Sequence, residues 1–131
     1  MSLDVTVEGD DEVVAGLEAL PGELSADLAG VVDDAGRRLR DGWRRNARRS
    51  ARRHGRYYPA SITNGLYQQE GSIYADVGPE NALPQGRMGR GFEYGSVNQP
   101  PHYDGSLAFA TERPKFIADV LEHIGYVIDD E

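Results

Sequence analysis

Residues Glu23 to Arg52 read ELSADLAGVVDDAGRRLRDGWRRNARRSAR, and their spacing decides what kind of domain this is. Leu24, Leu28, Val31, Val32, Ala35, Leu39, Trp43 and Ala47 recur every three or four residues, which places them on one apolar stripe of an α-helix. Glu23, Asp27, Asp33 and Asp34 crowd the first half and the arginines the second, the order that complements a helix dipole at both ends. At 1.5 Å per residue such a helix is roughly 45 Å long, more than a small domain covers, so its arginine end is expected to project toward a partner. His54-Gly55 supplies a stop, and Pro59 resists continuation.

Upstream, Leu3 to Glu8 alternates apolar and polar residues and predicts a half-buried strand. The following EVVAGLEALPGEL carries Val13, Val14, Leu17 and Leu20 near helical spacing, so a short helix is expected there, capped by Asp10 or Asp11 and bent at Pro21-Gly22. Downstream, ASITNGLYQQ and GSIYADVG read as two strands of a hairpin turning at Gln69-Glu70-Gly71, with Ile62, Leu66, Ile73, Ala75 and Val77 inward. Pro79 to Gly91 is rich in glycine and proline and reads as a long mobile loop, with Arg87, Met88 and Arg90 as its candidate assembly residues. GFEYGS predicts a further strand or turn, and NQPPHYDG is irregular. Phe116 or Ile117, Val120, Leu121 and Ile124 predict a last helix with Pro114 in its first turn, ended by Gly125; YVI then gives a short strand before an acidic tail. The expected fold is a single α+β domain over residues 1–131, in which the long helix and a C-terminal helix pack on a small, mainly antiparallel sheet.

The chain has 131 residues, no cysteine and a formal net charge of −8. Disulfides, thiolate metal sites and a cysteine nucleophile are therefore excluded. No apolar run approaches the ~20 residues that span a bilayer. The first residues lack the basic start and apolar stretch of a signal peptide, so no address for export is expected. His54, His102 and His123 stand in no ligand spacing, and no nucleophile elbow, phosphate loop or dinucleotide fingerprint occurs. Neither a catalytic set, a metal nor a cofactor is expected.

One constellation stands out. Arg37, Arg38, Arg40, Arg44, Arg45, Arg48, Arg49, Arg52, Arg53 and Arg56 are ten of the fourteen basic residues, gathered in an acidic chain. On a helix they form rows flanking Leu39, Trp43 and Ala47, and like charges at that spacing repel. Three readings follow: a solvated face partly neutralised by the chain's own acids, contact with an acidic surface on another subunit, or contact with phosphate. The exclusive use of arginine before position 115 suits fixed bidentate contacts. Trp43, in register with the stripe, is a core residue or an interface anchor.

In its order of elements the chain resembles the HK97 gp10-like family of tailed-phage neck and tail-completion proteins, over about residues 25–125. The resemblance rests on the long arginine-rich helix, HGRYYPASI with Gly55, Ser61 and Ile62, a strand ending ADVGP, GFEYGSVNQPPH with Glu93, Tyr94, Gly95 and Ser96, and the closing FIADVLEHI. His54 and Ser96 stand where that family tends to have threonine, and the step from Gly55 to Ser61 is one residue longer. The resemblance implies a non-enzymatic virion protein, made in the host cytoplasm, that forms a ring of six or twelve copies at the head-tail junction. Its neighbours there would be portal, adaptor or stopper and tail-tube proteins, with DNA passing through the ring and no membrane involved. A tail terminator capping the tube and a nucleic-acid-binding module using Arg37 to Arg56 are the alternatives.

Overall fold

The computed structural model describes residues 2–8, 12–18, 22–51, 55–69, 71–95 and 102–129. Among them run strands β1 (Ser2–Glu8) and β2 (Glu12–Glu18), helices α1 (Gly22–Ala51) and α2 (Tyr58–Ser61), strands β3 (Ile62–Gln69) and β4 (Ser72–Pro79), then a 3-10 turn (Gly86–Met88), α3 (Gly89–Tyr94) and α4 (Asp104–Asp129). The strands form one antiparallel sheet in the order β1-β2-β4-β3. Both long helices lie on one of its faces, so the domain is α+β, as the periodicities predict.

The stripe of α1 is the spine of the core. Leu28, Val32 and Ala35 pack with Ile73, Ala75, Phe116 and Val120. Leu39, Trp43 and Ala47 pack with Tyr58, Ile62, Val77, Phe92 and Ala108. At about 1.5–3 kcal/mol for each large apolar side chain removed from water, this stripe is the main stabilising contribution of the helix. The cover over α1 reaches Ala47, and Arg48 and Arg49 beyond it are exposed; Arg52 and Arg53, the far part of the expected projecting end, lie outside the described residues.

The segment after β1 is a strand and not the short helix expected from Val13, Val14 and Leu17. Hydrogen-bonded neighbours on both sides override a helical spacing that spans only two turns: Val13, Ala15 and Leu17 pair with Val77, Ala75 and Ile73, while β1 covers the other edge. The proposed caps Asp10 and Asp11, and Leu20 and Pro21, lie outside the described residues.

The hairpin β3-β4 forms in the predicted place, with Ile62, Ile73, Ala75 and Val77 buried. Leu66 departs from expectation at 36% exposed, because β3 is the edge strand and the helices do not reach over that part of it.

Pro79 to Gly91 is not without structure of its own. Leu83 and Gly86 donate backbone hydrogen bonds back to Glu80 and Leu83, and Tyr57 donates its N–H to Gln85 Oε1 at 2.7 Å. A Cβ at Gly86 would fall 1.8 Å from the Glu80 carbonyl oxygen, so the glycine there serves close packing. GFEYGS, expected as strand or turn, is mostly α3, which closes at Gly95 with φ 88°.

Helix α4 begins ten residues before Pro114, which therefore lies in the helix interior and not in its first turn. It also runs past Gly125 to Asp129, in place of the expected short strand. Its start is fixed by tertiary contacts that periodicity does not encode. A Cβ at Gly105 would meet the Trp43 ring at 2.7 Å, so the helix enters flat against the indole. The acidic tail beyond Asp129 lies outside the described residues.

Candidate functional site

Because α1 buries Leu39, Trp43 and Ala47, its arginines divide into two rows on either side of that stripe. On the β3 side, Arg40 Nη1 donates to Asn64 Oδ1 at 2.8 Å and its Nε to Asp41 Oδ1 at 3.0 Å. Arg44 Nε donates to the Ile62 carbonyl oxygen at 2.8 Å. Burial lowers the pKa of Arg44, and the neighbouring Arg40 and Arg48 charges act in the same direction, but a guanidinium stays charged. Such a bond caps one carbonyl at the start of the edge strand.

On the α4 side, Arg38 grips Glu112 Oε1 through Nε at 2.9 Å and Nη2 at 2.7 Å, and Nη2 also reaches Asp119 Oδ2 at 3.0 Å. The hydrogen bonding that Arg38 donates to Glu112 raises the Arg38 pKa against the opposing effect of burial, so this pair ties the two long helices together. Beyond it, Arg38, Arg45, Asn46, Arg49 and Thr111 border a groove of about 480 Å³ between α1 and α4. Arg49 donates to Asn46 Oδ1 at 2.7 Å. Arg37 pairs with Asp33 at 3.1 Å.

Arg45 and Arg48 differ from these. Both are exposed, and neither makes an ion pair or side-chain hydrogen bond among the described residues. Arg49, also exposed, is held by Asn46 and lies within electrostatic reach of Asp104, so Arg45 and Arg48 are the members of the cluster without an acidic partner among the described residues. Arg56 donates to the Tyr57 hydroxyl and lies 4.6 Å from the Tyr57 ring centroid. Arg52 and Arg53 lie outside the described residues. The cluster is therefore partly a set of internal fasteners and partly a free positive face.

Trp43 is 1% exposed and belongs to the core; its Nε1 has no acceptor among the described residues. Arg87 and Met88, in the 3-10 turn, and Arg90, in the first turn of α3, are exposed, away from the arginines of α1 in sequence. The family-like residues have structural contacts. The Gly55 carbonyl accepts the Tyr58 N–H at 2.9 Å, Ser61 Oγ donates to the Tyr58 carbonyl at 2.6 Å, and Ile62 is fully buried. Tyr94 packs edge-on against Tyr103 at 6.5 Å. Ser96 lies outside the described residues.

Glu93 carries more than its place in a motif suggests. Its buried carboxylate accepts hydrogen bonds from Gly105 N at 2.8 Å, Ser106 N at 2.9 Å and Ser106 Oγ at 2.7 Å, so it caps α4 from another helix. Beside it Asp104, also buried, accepts from Ser50 Oγ at 2.5 Å, while Asn46 Nδ2 donates to the Asp104 carbonyl at 3.1 Å. Burial raises the Asp104 pKa, opposed by the Ser50 hydrogen bond. Sequence inspection missed Ser50, Asn46 and Asp104; the only signal was Asp-Gly-Ser following two prolines, a helix-start pattern obscured by the stronger pull of Pro114.

A serine, a histidine and an aspartate thus come together, but not as a nucleophile and base. Ser50 Oγ donates its hydrogen bond to Asp104 Oδ2, and His102 Nδ1 stands 3.9 Å from Asp104 Oδ2, beyond hydrogen-bond range. Among the described residues no group of three or more His and carboxylate side chains is placed to hold a metal ion. No helix among them is long and apolar enough to cross a membrane. Comparison with family models, with curated proteins and with solved structures finds no match to this chain.

Proposed function

We propose that this protein is a structural subunit of a tailed-bacteriophage virion, forming a ring at the head-tail junction through which DNA passes, and acting without catalysis. The observation that carries this reading is the set of exposed arginines on α1, with Arg45 and Arg48 making no ion pair or side-chain hydrogen bond among the described residues, in a chain of net charge −8. Unbalanced charge on a rigid helix favours a partner of opposite sign and fixes its orientation, which is what a repeated building block requires. The order of sequence elements that resembles neck and tail-completion proteins supplies the setting, with six or twelve copies and portal, adaptor, stopper or tail-tube proteins as neighbours.

Light scattering on size-fractionated protein, followed by imaging of particles lacking it, tests the proposal. Heads and tails accumulating separately support a joining role; tails of unregulated length point instead to a terminator. Particles that assemble and eject DNA normally without it overturn the proposal.

The same arginines favour one second reading, contact with phosphate, including DNA in a ring lumen. Binding of the purified protein to duplex DNA with a steep salt dependence, about 0.9 per phosphate neutralised in log-log slope, identifies that case.

A further inference from the structure

Helix α4 is apolar on two sides. Ala108, Phe116 and Val120 are buried in the core beneath it. On the opposite side Leu107, Ala110, Pro114, Ala118 and Leu121 recur every three or four residues, and all five are exposed. Leu107 at 57% and Leu121 at 63% are the most exposed large apolar side chains among the described residues. This outer stripe has an internal symmetry. Leu107 and Leu121 stand seven positions before and after Pro114, and Ala110 and Ala118 stand four before and after it. Turned end for end the stripe is unchanged, so it matches an antiparallel copy of itself, leucine against leucine at both ends. The small residues between them let two helix axes come close.

Charge along the seam between α1 and α4 follows the same symmetry with opposite signs. At the Leu107 end lies the groove of about 480 Å³ that Arg45 and Arg49 border with Thr111. Its two acids are engaged, Asp41 with Arg40 and Glu112 with Arg38, so the groove presents the guanidinium groups of Arg45 and Arg49. At the Leu121 end a second groove of about 310 Å³ is lined by Val31, Asp34, Asp119, Glu122 and His123. Asp119 is held by Arg38. Asp34 and Glu122 are exposed and make no ion pair among the described residues, although Asp34 lies within electrostatic reach of Arg38. One end of the seam is thus basic and the other acidic, both on the α1 side of the stripe.

We infer that the outer face of α4 docks a second copy of this chain, antiparallel, about a twofold axis that passes between the copies at Pro114. Such an axis, at right angles to the helices, keeps α1 on the same side in both copies. The Arg45 and Arg49 groove of one copy therefore meets the Asp34 and Glu122 groove of the other, and the contact occurs twice, as a twofold interface requires. Bidentate guanidinium-carboxylate pairs would fix the register while the leucines leave water. Exposed Lys115, beside the axis, has a stem long enough to carry its charge out to solvent. The stripe is about 21 Å long at 1.5 Å per residue, which places the interface at the small end of specific contacts and the dissociation constant on the order of 10 µM. The pairing closes with two copies and does not depend on the ring: exposed Arg48 lines neither groove and stays available to another neighbour.

Charge exchange and cross-linking test it together. One variant carries Asp34→Lys with Glu122→Lys, the other Arg45→Glu with Arg49→Glu, and circular dichroism checks that each remains folded. Each alone sets like charge against like at both joints, and its dimerisation, measured by sedimentation equilibrium, should weaken on the order of 100-fold. An equimolar mixture restores both joints and should recover a dimer. The chain has no cysteine, so single introduced cysteines report the register. Pro114→Cys should link to itself through a short bismaleimide. Leu107→Cys should not, its two copies being about 21 Å apart, but should link to Leu121→Cys in a mixture. These links, with recovery in the charge-exchange mixture, support the inference. Leu107→Cys linking to itself as readily as to Leu121→Cys overturns it. Association that none of the charge substitutions weakens overturns it and leaves the ring proposal standing. Wild-type protein that stays monomeric up to millimolar concentration also overturns it, and leaves the stripe to a different protein.

Discussion

Replacing Glu93 by glutamine removes one negative charge and little volume, and the consequence follows from three hydrogen bonds. The buried carboxylate takes the Gly105 and Ser106 N–H groups and the Ser106 hydroxyl, all within 2.9 Å. A glutamine amide keeps one acceptor oxygen and turns an NH2 group toward donors. A hydrogen bond to a charged acceptor contributes about 1.5–3 kcal/mol, and an anion at a partly buried helix N-terminus up to ~2 kcal/mol. With part of the geometry retained, the expected net loss is about 2–3 kcal/mol, against the ~5–15 kcal/mol that holds an ordinary domain folded. In urea, with a slope of about 1.5 kcal/mol per molar, the midpoint falls by about 1.3–2 M at unchanged slope. Amide hydrogen exchange at Gly105 and Ser106 should accelerate more than exchange in the middle of α1, because the lost bonds are local. A midpoint within about 0.3 M of wild type, or uniform acceleration across all helices, would refute the capping role.

Pro114 is exposed inside α4, where it withholds an N–H from the helix and crowds the preceding turn. Pro114→Ala should therefore raise the melting temperature, by several degrees for a gain of about 1–2 kcal/mol, as calorimetry would record. Trp43→Ala empties the most enclosed aromatic site between α1 and α4 and should cost about 3–5 kcal/mol, measured by urea unfolding followed in far-ultraviolet dichroism because no other tryptophan reports. Asp104 has a folded-state pKa above its unfolded value, so the native state holds its proton more firmly. Its contribution then falls as pH rises from about 4, the unfolded value, and levels off above the raised folded value. Relative to Asp104→Asn, the wild type should lose stability over that interval; a difference that stays flat or grows with pH contradicts the assignment.

Long-period patterns proved legible and short ones did not. The stripe from Leu28 to Ala47 repeats over several turns, and no alternative partner competes with it, so α1 and its buried face follow from spacing alone. The hairpin at Gln69 to Gly71 was legible for a similar reason, two alternating runs around a turn. Val13, Val14 and Leu17 fit two periods at once, and only pairing with β1 and β4 decides between them. The start of α4 was hidden because the residue that caps it, Glu93, stands eleven positions upstream of Asp104 on another helix. For the arginines, composition announced a cluster, but which side chains are internally satisfied depends on Asn64, the Ile62 carbonyl and Glu112, none of them near in sequence.

The capping carboxylate belongs to a wider clasp. The Phe92 carbonyl accepts the His102 N–H at 2.8 Å and the Glu93 carbonyl accepts the Tyr103 N–H at 3.0 Å, so the chain leaves α3 and re-enters at α4 through one knot of bonds. Since doubling a loop's length adds only ~0.6 kcal/mol of closure entropy, these bonds, more than the length of the connection, set how firmly the entry into α4 is moored.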